Sequence, residues 1–380
     1  MSTDPTARVW AHFSDGLCLT DDCIEIGAGA VQTLIKEEHQ QQVALRAACD
    51  GGLLDDCQTL IVKDRELNHR QSRVYDLSPL AGLTQLKDLS IHCREAQNIT
   101  ALSTLSSLQH LKLSFCTKVL DLSPLSTMTR LSVLDLQGSH AATLPSLAAL
   151  TQLTRLNLYS TRLVTLELAS LPLLETLCTK ERASTNTHSP LWGGYLETVS
   201  LSDLPALGGV QLSHCRKLRE ATLSGLDTAA FLSLEGCQAL QRLTAAGLSQ
   251  LTMLDIRHCT ALETVSVTDA PALTHIEAAQ CAALTDLSGL STLRSVTHMD
   301  LSRSTALTSL DGIDDLASLQ VLKLNGCTAL TDISALAHLP ALQRLDLRGC
   351  TALDPALQRY LMQRRRVAAF QQGLAATEAS

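Results

Sequence analysis

The sequence predicts an α/β solenoid, in which short coils of similar sequence stack into one continuous core. Three observations predict this fold. The pattern L-x-x-L-x-L recurs through most of the 380 residues, it recurs mostly every 22 or 23 residues, and the chain is 45% hydrophobic although only 3% aromatic. Because a single globular core stops growing at roughly 250–300 residues, a stack of small leucine-lined layers explains this length and composition better than separate ordinary domains.

One slot after each copy of the pattern sets the register of the repeats, and it most often holds cysteine. The slot residues are Cys116, Ser139, Thr161, Cys215, Cys237, Cys259, Cys281, Ser304, Cys327 and Cys350. A regular spacing of this kind predicts one short parallel strand per coil, with neighbouring strands ~4.8 Å apart.

The pattern with its slot, as in Leu319, Leu322, Leu324 and Cys327, resembles the leucine-rich repeat superfamily over about residues 60–353. We count about twelve coils from the sequence, and the resemblance implies a horseshoe with a parallel sheet on its concave face. The repeat length is similar to that of bacterial internalins and of a phosphatase regulatory subunit, and cysteine in the slot also resembles protist leucine-rich repeat proteins. The resemblance implies protein–protein recognition.

The second half of several coils carries the pattern D-(L/I)-S-x-L, which predicts short helical turns on the convex face. Asp and Ser side chains accept hydrogen bonds at the start of such a turn, and Pro fits a first helical position. The pattern occurs at residues 76–80, 121–125, 286–290 and 332–336.

The composition changes at both ends of the array. Residues 1–58 are predicted to form an N-terminal helical cap, residues 59–353 the solenoid, and residues 354–380 a C-terminal capping helix with a frayed tail. Caps are needed because a terminal coil would otherwise expose its hydrophobic face. The arginines at 364–366 are interpreted as the solvated face of the capping helix, with a nuclear signal or phosphate patch as the alternative.

The 13 cysteines are interpreted mainly as packing residues. Seven occupy the slot, where a buried thiol is a small apolar filler and a weak donor. An odd total without a C-x-x-C pair predicts free thiols in a reducing compartment, and hence a cytoplasmic protein without a metal or cofactor. Zinc held by His12, Cys18 and Cys23 is the alternative, although these residues lack a ligand-spacing signature.

The net charge and hydropathy exclude two classes of partner from the prediction. A formal charge of −8 argues against bulk binding to nucleic acid, because phosphate binding leaves a basic footprint. No stretch approaches the 18 or more apolar residues of a membrane span, so the chain is predicted not to cross a membrane.

One coil is about eleven residues longer than the others, since Thr161 is followed by its next alignable slot only at Gly194. The extra material, at about 179–194, contains His188 and Trp192 and is followed directly by Tyr195. Because loops on repeat scaffolds commonly carry function, these three residues are predicted to anchor a partner. A loop that folds over neighbouring coils is the equal alternative.

The strand pattern predicts which side chains point out of the concave face, because side chains alternate along a strand. Two patches result: an apolar pair, and a stripe of three carboxylates beside two histidines. Three stacked carboxylates repel one another, which predicts a raised proton affinity for at least one and favours a basic segment of a partner. An inert surface and a metal site are the alternatives. The predicted partner-binding residues are Phe231, Met253, Asp255, Arg257, His275, Glu277, His298 and Asp300.

The sequence lacks the motifs of the common catalytic sites, including a phosphate-binding glycine loop, G-x-S-x-G and H-E-x-x-H. It therefore predicts a non-enzymatic scaffold or adaptor within an intracellular assembly. The alternative is a delivered effector or a ubiquitin-ligase subunit whose repeats select targets. The pattern specifies neither the partner's identity nor the oligomeric state.

Overall fold

The computed structural model describes residues 17–19, 45–46, 48–52, 54–55, 58–63, 75–178 and 194–354. These residues form two compact units. The first unit includes the described residues up to 163 together with 176–178, and the second includes residues 164–175 and 194–354. Both units are built from stacked coils, whose strands form parallel sheets.

Nineteen short strands lie within the described residues. They are β1 (Leu17–Leu19), β2 (Thr59–Lys63), β3 (Asp88–His92), β4 (His110–Leu113), β5 (Val133–Asp135), β6 (Arg155–Asn157), β7 (Thr165–Ala169), β8 (Thr176–Cys178), β9 (Thr198–Ser202), β10 (Val210–Gln211), β11 (Glu220–Ser224), β12 (Phe231–Ser233), β13 (Arg242–Ala246), β14 (Met253–Asp255), β15 (Thr264–Thr268), β16 (His275–Glu277), β17 (His298–Asp300), β18 (Val321–Lys323) and β19 (Arg344–Asp346).

The described strands form three parallel sheets. The first unit has one sheet of order β1-β2-β3-β4-β5-β6-β8. The second unit has a sheet of order β10-β12-β14-β16-β17-β18-β19, which we call the main sheet, and another of order β15-β13-β11-β9-β7, which we call the outer sheet. The prediction of a leucine-rich repeat solenoid with parallel strands is confirmed in both units.

The strands form because each L-x-L segment buries its leucine positions and exposes the residues between and beside them. In β12, Leu232 is buried and Phe231 is exposed, and in β14 Leu254 is buried and Met253 is exposed. Equivalent residues of successive coils are paired in register, for example Leu232 with Leu254. Each coil therefore covers the core of the next. The strand pairing places the predicted outward side chains of successive coils next to one another.

Short 3-10 turns occur at all four copies of the D-(L/I)-S-x-L pattern and at one further position within the described residues. They span Ser78–Leu80, Thr100–Thr104, Ser123–Thr127, Ser288–Leu290 and Ser334–His338. In each of the four predicted turns an Asp carboxylate accepts a hydrogen bond from the backbone N–H of the Ser two residues later, at 2.8 Å. This local Asx-type bond fixes the turn, and the predicted helical turns are confirmed there.

The outer sheet was not anticipated from the sequence. Where it forms, the coils carry five-residue alternating segments such as T-V-S-V-T at 264–268 in place of Asp-x-Ser. Val265 and Val267 point into the core and are buried, while Thr264 is exposed. β-Branched residues in alternation fit a pleated, half-buried strand, so these coils add a second strand where others make a helical turn.

The cysteine slot forms a buried ladder, as predicted. The Cys237 thiol donates to the carbonyl of Leu212 at 3.1 Å, and the Cys259 thiol donates to that of Leu234 at 3.2 Å. Equivalent bonds run from Cys281, Cys327 and Cys350 to the preceding coil. The described cysteines are free thiols. Each thiol therefore fills a small space and ties its turn to the coil before it.

Cys93 belongs to the same ladder, although the sequence analysis did not place it there. It is fully buried and lies 23 residues before Cys116, which is the spacing of the other slots. The signal was present in the sequence. The leucine pattern does not align Cys93 with the slot, because Cys93 lies two residues after Ile91 whereas Cys116 lies three residues after the equivalent Leu113.

The residue before each slot takes a left-handed backbone conformation. His258, Gln280 and Arg303 have φ of 60°, 65° and 61°. Their N–H groups donate to carbonyls of the following coil at 2.8, 2.7 and 2.8 Å. The turn at the slot, as at Cys259 and Cys281, is thus hydrogen-bonded to the preceding coil by the cysteine side chain and to the following coil by the backbone N–H of the residue before it.

The two caps stay predictions. Within 1–58 the structure describes the strand β1 and helical residues at 45–46 and 48–50. The predicted C-terminal helix lies outside the described residues, apart from Asp354, and so does the insertion before Gly194. In the part of the chain that is described, no helix has the length and apolar character needed to span a membrane.

Replacing Asp332 with alanine is expected to lower the free energy of unfolding by about 1 kcal/mol, because the Ser334 N–H loses its acceptor. Asn is the matched control, since its Oδ1 keeps that bond. The backbone hydrogen bond from Ser334, followed by its side-chain hydrogen bond, lowers the pKa of Asp332. This stabilisation is therefore present above the unfolded-state pKa of 3.8 and is lost as the pH falls through the folded-state value.

Urea denaturation at about neutral pH and at about pH 2.5 measures both effects for Asp332. The difference between wild type and the alanine variant should shrink at the lower pH. An asparagine variant as unstable as the alanine variant would contradict the role assigned to the Asx-type bond.

Candidate partner-binding surface

Two large apolar side chains stand side by side on the main sheet. Phe231 on β12 and Met253 on β14 are paired in register, and they are 45% and 39% exposed. The Phe231 ring lies directly over Gly209, because a Cβ atom at that glycine would come within 2.3 Å of the ring. Gly209 thus lets the ring lie flat on the neighbouring coil. The predicted apolar pair is therefore both adjacent and exposed.

Two histidines occupy the same strand position as Phe231 and Met253 on the next two strands of the main sheet. His275 on β16 pairs with Met253 on one side and with His298 on β17 on the other. The two imidazole rings are stacked, with centroids 4.6 Å apart and planes 8° from parallel. Each Nδ1 atom lies 2.9 Å from a threonine hydroxyl, that of Thr274 for His275 and that of Thr297 for His298.

The predicted acidic stripe is in register, but two of its three carboxylates are already paired. Asp255, Glu277 and Asp300 are successive partners on β14, β16 and β17. Asp255 is only 7% exposed and accepts two hydrogen bonds from the Arg257 guanidinium, at 2.9 and 2.7 Å. Asp300 accepts a hydrogen bond from Lys323 Nζ at 3.0 Å.

Asp300 does not have the raised proton affinity that the stacked carboxylates predict for at least one member of the stripe. Burial disfavours its charge, but hydrogen bonds from Ser302 and Lys323 outweigh this effect and lower the pKa of Asp300. The physical reason is that Ser302, and after it the Lys323 ammonium group, donate hydrogen bonds to Asp300 and so favour its charged form. Among the described residues, Glu277 is the stripe carboxylate that makes no ion pair.

Arg257 acts as an internal counter-ion of this surface. Besides its bonds to Asp255, it lies 3.5 Å from Glu235 Oε2. The hydrogen bond with Asp255, followed by the charges of Asp255, Glu235 and Glu277, raises the pKa of Arg257. Arg257 therefore neutralises part of the predicted stripe before any partner is bound.

The predicted insertion residues are placed only in part. Tyr195 is 42% exposed, and Lys217 Nζ lies 5.3 Å from the centroid of its ring in a cation–π contact. His188 and Trp192 lie outside the described residues. Their role as a partner anchor stays a prediction.

A depression on the sheet of the first unit was not singled out from the sequence. It has a volume of about 260 Å³ and lies over β2 to β5. Asp88 contacts His110 Nδ1 there and accepts a hydrogen bond from Thr59 at 3.0 Å, while Lys112 Nζ lies 3.9 Å from Asp135. The signal in the sequence is an acidic residue and a basic residue one repeat apart, as in Asp88 with His110 at 22 residues and Lys112 with Asp135 at 23.

The described residues contain no group of three or more His, Cys, Asp or Glu side chains placed to hold a metal ion. The zinc alternative concerned His12, Cys18 and Cys23, whose side chains lie outside the described part of the chain. That alternative stays untested.

Stacked L-x-x-L-x-L coils, parallel sheets whose strands come from successive coils and a buried slot ladder together define a leucine-rich repeat solenoid. The fold is one that serves protein interaction, because the regularly spaced strands of a solenoid present an extended surface of outward side chains. Fold by itself does not specify which partner is bound.

No family model matches the chain, and no curated protein matches it. Among solved structures it is similar to a leucine-rich repeat protein from Leptospira interrogans, with 19% identity over 84% of this chain and 90% of that chain, at a TM-score of 0.32. It is also similar to an internalin from Listeria monocytogenes, with 16% identity over 87% of this chain and 98% of that chain, at a TM-score of 0.38. The functional domain of InlJ from Listeria monocytogenes, described as including a cysteine ladder, shares 21% identity over 68% of this chain and 52% of that chain, at a TM-score of 0.31.

Proposed function

We propose that the protein is a non-enzymatic scaffold or adaptor that binds a partner protein on the main sheet of its second unit. The exposed pair Phe231 and Met253 carries this proposal. Aromatic residues and methionine are enriched at interface centres, and a few such residues supply most of the binding energy.

The surroundings of the pair support the same proposal. Both side chains stand on strands whose neighbours hold them in register, so no backbone ordering has to be added to the cost of binding a partner. The charged side chains next to them are mostly paired within the chain, as in Asp255 with Arg257. The apolar pair would therefore supply affinity, while the charges at its margin would select the partner.

We also propose a reducing compartment as the site of action. The ladder thiols Cys237, Cys259 and Cys281 are free and buried, and each donates a hydrogen bond to a carbonyl of the preceding coil. Such thiols pack as small apolar groups, and their oxidation would disturb the core. Localisation of the tagged protein in its native cell tests this proposal; exclusive recovery from an oxidising compartment would contradict it.

Substituting Phe231→Glu and Met253→Glu together is expected to weaken partner binding by at least about 100-fold, because hot-spot residues contribute about 2 kcal/mol or more each. Partners are first cross-linked and identified from the native cell, and their affinity is then measured with purified proteins. Leu173→Glu is the matched control, since Leu173 is 44% exposed and lies in the same unit but outside the main sheet.

Thermal unfolding must show that the double variant remains folded. If it binds every identified partner as tightly as the Leu173→Glu control does, the main sheet is not the docking surface.

A further inference from the structure

The hydrogen bonds of the histidine stack determine which ring nitrogen carries the proton. The Thr274 hydroxyl contacts the Thr252 carbonyl at 3.2 Å, and the Thr297 hydroxyl contacts the Thr274 carbonyl at 3.1 Å. A hydroxyl has one proton to donate, and a carbonyl only accepts. The contact between each hydroxyl and the histidine Nδ1 is therefore an N–H donated by the ring. In its neutral form, each imidazole then keeps a lone pair on Nε2.

The charges that face this pair are mixed. Glu277 shares β16 with His275 and lies beside Asp300 of β17. Of the two stripe carboxylates that flank Glu277, one is bound to Arg257 and the other to Lys323. The described titratable and charged groups around the pair are Asp255, Arg257, Glu277, Asp300, Lys323 and Arg344.

We propose that His275, His298 and Glu277 form an acceptor cluster that binds a cationic side chain, arginine or lysine, of the partner segment docked against Phe231 and Met253. This inference rests on the proposed function, because it names the chemistry recognised at the same surface. The two ring lone pairs are hydrogen-bond acceptors, and the Glu277 carboxylate, which makes no ion pair among the described residues, adds negative charge. Arginine and lysine side chains carry only N–H donors and a positive charge, so they match this cluster. Charge complementarity therefore selects a basic segment as the occupant.

Protonation of the histidines abolishes this cluster. A proton on Nε2 turns an acceptor into a donor and adds positive charge where the partner's cation must lie. Burial, followed by the positive charges of His275, Arg344 and Lys323, lowers the pKa of His298, so its ring is neutral at physiological pH. Binding is expected to be strong above the ordinary histidine pKa and to weaken as the pH falls through the folded-state value.

The probe is a set of linear peptides selected from a random displayed library on the wild-type protein at about pH 7.5. Selected peptides that compete with one another but fail to bind the Phe231→Glu/Met253→Glu variant define ligands of this surface. They are expected to place Arg or Lys next to an apolar residue. Replacing that Arg with citrulline, or that Lys with norleucine, should weaken binding at least about tenfold, because one charge-assisted hydrogen-bond set is lost.

Two protein variants separate the histidines from the carboxylate. His275→Ala with His298→Ala should weaken peptide binding several-fold at about pH 7.5 and remove the further loss that the wild type shows at about pH 5. Glu277→Gln should weaken binding at both pH values while leaving the pH dependence in place. Isothermal titration calorimetry measures each affinity.

The outcomes distinguish this inference from the function on which it rests. Peptides that need Phe231 and Met253 but contain no cation, or bind equally well at both pH values, overturn the acceptor cluster and leave the docking surface standing. Selection that yields no peptide dependent on Phe231 and Met253 overturns both proposals.

Discussion

Replacing Gly312 with alanine is expected to lower the free energy of unfolding by roughly 3–5 kcal/mol, from combined backbone strain and overlap. Gly312 has φ of +97°, a conformation that side-chain-bearing residues rarely adopt. An added Cβ would lie 2.5 Å from Ser288 N and 2.6 Å from the carbonyl carbon of Leu287. These are backbone atoms of the 3-10 turn in the preceding coil, so the turn itself would have to move.

Gly82 provides the matched control for the overlap. It has φ of +91°, but a Cβ there would have no atom within 4 Å. Gly82→Ala therefore adds only the conformational strain, of about 1–3 kcal/mol. Urea denaturation of both variants measures the difference. Equal destabilisation of the two would contradict the assigned contact between Gly312 and the turn at Ser288–Leu290.

The ladder thiols are expected to resist alkylation in the folded protein by at least about a thousandfold relative to an unfolded chain. Burial raises the pKa of Cys281 and of Cys327 to about 12 from an ordinary 9.0. The thiolate is the nucleophile, and a shift of this size lowers its fraction near neutral pH by about a thousandfold. Burial of the sulfur adds a steric barrier to the same effect.

Iodoacetamide labelling followed by peptide mass spectrometry measures this protection site by site. Cys178 is the internal control, because it is a partly exposed thiol on β8. Native labelling of Cys281 or Cys327 at the rate of Cys178 would contradict the buried ladder, and complete labelling in denaturant shows that every thiol was free to react.

The same thiols predict a loss of stability in alkali. Their folded-state pKa is raised above the unfolded value, so their contribution is fully present below about pH 9 and is lost as the pH rises toward 12. Urea denaturation across this range should show a falling midpoint, and Cys281→Ser should reduce the slope, because one titrating thiol is removed from the core.

Much of the fold could be predicted because every copy of the repeat specifies the same buried positions and the same distance to the next strand. The leucine positions specify which side of each strand is buried, and the constant spacing specifies which residues become neighbours in the sheet. The repeat spacing therefore predicts that Phe231, Met253 and His275 lie side by side on neighbouring strands, and the strand pairing agrees. Cys93 shows the limit of pattern matching, because its spacing from Cys116 fits the ladder while it lies one residue nearer to its leucine pattern than the other slot residues do.

The outer sheet, unlike the main sheet, could not be predicted from the repeat pattern. A short alternating segment such as 264–268 is compatible with either an extended strand or a turn until its neighbours are known. It pairs with the equivalent segment of the preceding coil, Arg242–Ala246, so the choice is cooperative. No single coil contains the information that decides it.

The repeat spacing by itself determined the length of each coil, the strand register and which outward side chains are neighbours, because all three follow from the distance along the chain between equivalent residues. Only the tertiary structure decided which outward charges remain available. Arg257 folds back onto Asp255, Lys323 reaches Asp300, and Glu277 makes no ion pair among the described residues. These pairings depend on side-chain rotamers and on distances across coils, which a linear pattern does not encode.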